Sequence, residues 1–216
     1  MTASVESLPL HFPVFPLAGA LLLPGGNLPL NIFEPRYLAM VRDAMQTHKI
    51  IGMVQPRPDQ ERERKPKFYD VGCAGRITHF EENDDGRFLI ALTGVCRFDV
   101  AEELDCGTLY RQVRADFSRW LGDLEPSEPS TELRDELLEA LRQFLDAHEL
   151  AAEWSGIEQA PMSGLVTSLA MICPFEPSEK QALLEAADLN RQTEILTALM
   201  QMDALTSPGG TPTQMH

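Results

Sequence analysis

Up to Phe117 the hydrophobic and polar positions mostly alternate, whereas beyond Pro129 the apolar residues recur every three to four positions. The alternating part predicts strands over Leu10–Leu17, Leu28–Ile32, Lys49–Gln55, Val71–Phe80, Arg87–Val100 and Thr108–Phe117. Pro13 and Pro16 mark the first as an edge or bulged strand, because proline donates no ladder hydrogen bond. From Arg87 to Thr93 nearly every residue is apolar, the pattern of a strand buried on both faces. Glu82–Gly86 ends in Asp-Gly and predicts a hairpin turn, and Gly25-Gly26 predicts another tight turn. One helix interrupts the strands: Pro35 suits its first position, Glu34 precedes it, and Tyr37, Leu38, Val41 and Met45 follow at helical spacing.

After the acidic, proline-containing stretch Gly122–Pro129 the period is helical. Ser130 or Thr131 can cap a helix with Leu133, Leu137, Leu141, Phe144, Leu145 and His148 on one face. A second is predicted from Pro161 to before Pro174, with Leu165, Leu169 and Ile172 inward. Ser178 and Gln181 match a capping box for a third, and Asp188 can cap a fourth carrying Ile195, Leu196, Leu199 and Met202 on its buried stripe. Short strands followed by helices make an α+β chain: a β-rich part over 8–120, a linker over 121–129 and a helical bundle over 130–206. The tail, 207–216, has the composition of a flexible end.

Charge sharpens the division. Residues 1–120 carry 14 Lys/Arg against 16 Asp/Glu, and the remainder carries 4 against 17, so nearly all of the net charge of −15 belongs to the helical half. Such a surface repels phosphate, which argues against nucleic acid and anionic membrane as partners. No run approaches the roughly 18 apolar residues of a membrane span, and the N-terminal apolar stretch lacks a basic lead, so cytoplasmic residence is expected. Cys73, Cys96, Cys106 and Cys173 form no CxxC pair and read as free thiols.

Motifs for chemistry fail one by one. GxxxxGK[ST] and GxSxG are missing, and His148-Glu149 lacks the second histidine of HExxH, with Ala152 standing in its place. No catalytic, cofactor-binding or metal-binding residue is predicted.

Three ordered segments carry a family resemblance: FPLAGALLLPGGNLPLNIFEPRY at Phe15–Tyr37, VGCAGRITHF followed by DGRFLIALTGVCRFDV, and SLAMICPFEPSEKQALLEAADLNRQTEIL near the end. Together they make the chain resemble, over about residues 8–205, the N-terminal substrate-binding domain of Lon proteases (peptidase S16), to which the Lon-like domain of cereblon is related. The resemblance implies a twisted six-stranded β pseudo-barrel with one inserted helix, followed by a C-terminal helical bundle. It further implies a non-catalytic module that binds unfolded or extended polypeptide, as an adaptor or holdase, or one specific protein partner. Because no ATPase or peptidase motif follows, a stand-alone form is expected. A small hydrolase with an unrecognised site, or a dedicated structural partner of one complex, are the alternatives. Within IFEPRY, Ile32 and Phe33 are expected in the core, while Arg36 and Tyr37 are binding candidates. Arg62 and Arg64, in the charged loop Pro56–Lys67, and Phe68 beside it complete the predicted polypeptide-binding set.

Overall fold

The computed structural model describes residues 8–58, 66–125 and 128–206. Its strands are β1 (His11–Pro16), β2 (Asn27–Ile32), β3 (Ile50–Val54), β4 (Val71–Glu82), β5 (Phe88–Leu104) and β6 (Arg111–Asp116), with α1 (Pro35–Gln46) inserted after β2. They form one six-stranded sheet in the order β2-β5-β4-β3-β1-β6, and β6 returns to pair with β5. The length of β5 makes this closure possible. Its first half holds β2 from Asn27↔Thr93 to Ile32↔Phe88, and its end holds β6 from Asp99↔Asp116 to Leu104↔Gln112. The result is a pseudo-barrel with β2 added outside the ring.

β1 is an inner strand rather than the expected edge: it pairs with β3 in parallel and with β6 antiparallel. Its prolines are tolerated because the two ladders are staggered. Pairing with β3 starts at Val14, after Pro13, and pairing with β6 ends at Val14, before Pro16. Each proline therefore lacks a neighbour on one side, where no N–H is needed. The Glu82–Gly86 turn forms as its sequence predicts, closed by Asn83 N–H to the Arg87 carbonyl at 2.8 Å.

β5 is not buried on both faces. Phe88, Ile90 and Leu92 point into the barrel, whereas Leu89, on the outer face, is 40% exposed. Phe33 likewise departs from the expected core position at 61% exposed, while Ile32 is buried. A bulge falls where the sequence shows Gly94: Ala74 pairs with Cys96 and Gly75 with Gly94, leaving Val95 extra. Gly94 also lets the 23–26 turn close in, with Gly25 N–H to the Gly94 carbonyl and Gly94 N–H to the Gly26 carbonyl, both 2.9 Å. A Cβ at Gly94 would lie 2.0 Å from the Leu23 carbonyl oxygen.

A 3-10 helix at Ser118–Leu124 follows β6, and then come α2 (Thr131–Ala147), α3 (Trp154–Gln159), α4 (Met162–Ile172), α5 (Pro177–Leu184) and α6 (Leu189–Thr206). α2, α4, α5 and α6 lie where the sequence predicts helices; the 3-10 helix and α3 are not among those predicted. Asp188 caps α6 through the Arg191 N–H at 2.8 Å. The cap of α5 lies earlier than predicted: Glu176 and Glu179 form the capping box, so the helix starts at Pro177. That frees Gln181 for the seam between barrel and bundle, where it donates to the Val71 carbonyl and accepts from Gln55. Ile172 and Met202 point to solvent, at 78% and 62% exposure, instead of inward. On α6, Gln192, Thr193, Leu196, Thr197 and Met200 take the buried stripe.

Arg97 also spans the seam. Its guanidinium is bidentate to Asp123, with Nη2 to Oδ1 at 2.6 Å and Nε to Oδ2 at 2.9 Å, and Nη1 donates to the Leu184 and Ala186 carbonyls. The Arg97–Asp123 pair is only 8% exposed on each side and lies over Trp120, whose Nε1–H donates to Asp99. The start of the expected linker is therefore a packed anchor. The 207–216 tail lies outside the described residues.

Candidate functional site

Three concavities adjoin on one side of the barrel. The largest, about 720 Å³, lies between the β5–β6 loop (residues 105–110) and the start of α1, with Pro16, Pro56 and Pro66 on its other walls. Its volume falls within the range of ligand-binding clefts. A smaller one of about 200 Å³ shares Pro16, Arg36 and Tyr37 with it and is otherwise mostly apolar: Phe15, Leu17, Leu30, Ile32 and Phe33. A third, about 450 Å³, shares Glu103 and Arg111 and contains Phe68, Arg57 and Asp70.

Each wall has a local cause. Proline at the first helical turn starts α1 at Pro35 and sets Arg36 and Tyr37 where strand turns into helix. Arg36 is exposed, donates from Nε to Glu34 at 2.9 Å, and stacks over the Tyr37 ring at 4.4 Å. Tyr37 is mostly buried, its ring 4.2 Å from that of Phe15. Burial pushes its phenol above the ordinary range, against the lowering effect of Arg36, so at neutral pH it is an uncharged hydrogen-bonding group. On the opposite wall Arg111 grips Glu103 with Nε and Nη2 at 2.9 and 2.7 Å and donates from Nη1 to the Pro66 carbonyl at 2.6 Å. The same guanidinium lies 4.0 Å over the Phe68 ring.

Of the predicted binding set, Arg36 and Tyr37 line the large cleft, and Phe68 is buried beneath Arg111 in the neighbouring one. Arg62 and Arg64 lie outside the described residues. Sequence reasoning missed the 105–110 wall because TLYRQVRADF alternates from its first residue; the strand begins only at Arg111. The Asp105-Cys106-Gly107 triplet, with Gly107 at φ 65°, is the turn signal that could have revealed it.

Two other features offer routes to a ligand. A cleft of about 640 Å³ at the barrel–bundle seam mixes the apolar Leu23, Pro24, Trp120 and Leu189 with Glu125, Glu128, Asp188 and the Arg97–Asp123 pair, so its charge is mostly acidic. β2 ends the sheet order and offers an edge, but Pro29 lies opposite Ala91. A proline fits only where its nitrogen points away from β5, so it removes a donor from the free edge.

Among the described residues, the lining of the large cleft contains no histidine; its carboxylate Glu103 is paired with Arg111, and Asp105 and Cys106 stand on the exposed loop. Elsewhere, Ser163 Oγ bonds Glu128 rather than a histidine, and His148 bonds Asp203 while stacking on Phe144. Among the described residues no group of three or more His, Cys, Asp or Glu could hold a metal ion. No helix there is long and apolar enough to cross a membrane.

A family model described as the ATP-dependent protease La (LON) substrate-binding domain matches residues 11–202. Lon protease 2 of Myxococcus xanthus is 27% identical over 199 residues, covering 90% of this chain and 24% of that protein. Lon protease of Anaeromyxobacter dehalogenans is 25% identical over 90% of the chain and 23% of its own length. The chain thus spans about a quarter of the length of these curated relatives. Among solved structures, a Lon N-terminal domain protein from Xanthomonas campestris superposes with a TM-score of 0.62 at 24% identity, covering 87% of this chain and 97% of that one. The N-terminal domain of Lon protease from the Mycobacterium avium complex gives 0.63 at 15% identity, covering 88% and 97%.

Proposed function

We propose that this chain, which belongs to the family of Lon substrate-binding domains, holds extended or unfolded polypeptide in the cleft between α1 and the β5–β6 loop, as an adaptor or holdase and without chemistry of its own. The observation that carries the reading is the cleft's lining. It is concave, shaped by prolines, Tyr37, Leu104 and Leu109, and both of its arginines are already paired, Arg36 with Glu34 and Arg111 with Glu103. Such a surface offers apolar contact and a few fixed polar groups, the means by which extended chains are gripped. Arg36 and Tyr37 are proposed to contact the ligand directly, the loop residues Arg62 and Arg64 to border it, and Phe68 to support Arg111 from below. The matches to curated relatives fall on the substrate-binding part of Lon proteases, which supports recognition rather than catalysis.

The test is a titration of a labelled, permanently unfolded polypeptide without ATP, at low and high salt, with Leu109→Asp and Arg36→Ala variants. Leu109 is 74% exposed on the rim, so its replacement leaves the fold intact. Micromolar binding that persists in salt and is lost in Leu109→Asp is the expected result. Equal binding by wild type and Leu109→Asp would place the ligand elsewhere.

A further inference from the structure

The two walls of the large cleft belong to distant parts of the chain, and one side-chain bond spans them. Tyr110 Oη, at the end of the β5–β6 loop, donates to Asp43 Oδ2 on α1 at 2.6 Å. Resting on the reading of this cleft as a polypeptide site, we propose that Tyr110 and Asp43 form a clasp that holds the β5–β6 loop in its binding-ready position.

The loop needs such a clasp. Residues 105–109 are all exposed, so no buried side chain of their own anchors them. Thr108 Oγ donates to the Tyr110 carbonyl at 2.7 Å and accepts from Gln112 Nε2 at 3.4 Å, which shapes the turn and ties it to β6 but not to α1. Arg111 secures the base of the loop to Glu103 and to the Pro66 carbonyl. Among the described residues, Tyr110 then carries the side-chain hydrogen bond from this wall to α1, the element that presents Arg36 and Tyr37. Burial and the bond to Asp43 both raise the Tyr110 phenol above its ordinary value, so it stays a donor across the working pH range.

The clasp is closed while the cleft is already about 720 Å³, so the clasped form is the one that can accept a ligand. Holding a binding loop in that form lowers the ordering cost of binding. Loss of the bond should therefore weaken binding rather than open a gate. Because an Asn side-chain oxygen can accept the same bond, the carboxylate's charge is dispensable and its acceptor is not.

The experiment combines amide hydrogen exchange over residues 105–110 with binding of the labelled unfolded polypeptide, for wild type, Tyr110→Phe, Asp43→Ala, Asp43→Asn and the Tyr110→Phe/Asp43→Ala double variant. Exchange in the loop should rise several-fold in Tyr110→Phe and Asp43→Ala, with the strands unchanged. Affinity should fall about three- to tenfold in each, by the usual worth of one such hydrogen bond. The double variant should lose no more than either single one, and Asp43→Asn should bind within about twofold of wild type. Unchanged loop exchange in Tyr110→Phe would overturn the clasp, as would additive losses or tighter binding by the single variants. If wild type binds no unfolded polypeptide while loop exchange responds as described, the cleft's proposed ligand is wrong and the clasp stands.

Discussion

At the scale of single residues, neighbours of one sequence type have opposite roles. Leu92 is fully buried and Leu89 is 40% exposed, so Leu92→Ala should cost about 2–5 kcal/mol in chemical denaturation and Leu89→Ala less than about 1 kcal/mol. Equal losses would mean that the outer face of β5 is covered in solution. Asp123 is the acceptor for a guanidinium that has no second carboxylate among its bonds. Asp123→Ala strands that charge in the seam and should cost about 3–5 kcal/mol, measured the same way. The thiols divide similarly. Burial pushes Cys96 from 9.0 to about 12 and Cys173 to about 11, and raises Cys73 as well, while Cys106 is exposed in the 105–110 loop. One thiol should react quickly with an aromatic disulfide reagent in the native protein, and all four after denaturation. Because the buried thiols are neutral in the fold, their stabilising effect is complete below about pH 9. It is lost as pH climbs toward 12, so their contribution to the unfolding midpoint should decline only on the alkaline side.

At the scale of elements, Gly94 tests how the barrel was assembled. Its Cβ position is occupied by the Leu23 carbonyl, so Gly94→Ala should force the 23–26 turn away and cost about 1–3 kcal/mol in thermal or urea melts. The strands were legible because alternation on one buried face is a strong local signal, and the helices because Leu137, Leu141 and Phe144 recur at one stripe. What local pattern could not convey was the partner each face meets. Leu89, Phe33, Ile172 and Met202 are apolar but face solvent, and β1 tolerates its prolines only through the stagger of two ladders. The six-residue α3 has no buried residue and so leaves no stripe to find. At the site, IFEPRY drew attention to Arg36 and Tyr37, while the wall opposite was hidden by an alternation that runs through Thr108–Tyr110 without forming strand there.

At the scale of the whole molecule, charge and shape are separated. The acidic half is the helical one, while the cleft lies on the barrel with its arginines matched to carboxylates. Binding by apolar contact should therefore be nearly independent of salt, whereas attraction of a basic chain to the helices would fade as screening shortens. The most direct test is a chemical-shift map of the isotope-labelled protein, titrated with an unlabelled, permanently unfolded polypeptide. The account predicts that perturbed amides cluster at residues 17–18, 36–37 and 104–111, and stay put on α2 and α6. Perturbation centred on the helical half, or none at high micromolar polypeptide, would contradict it.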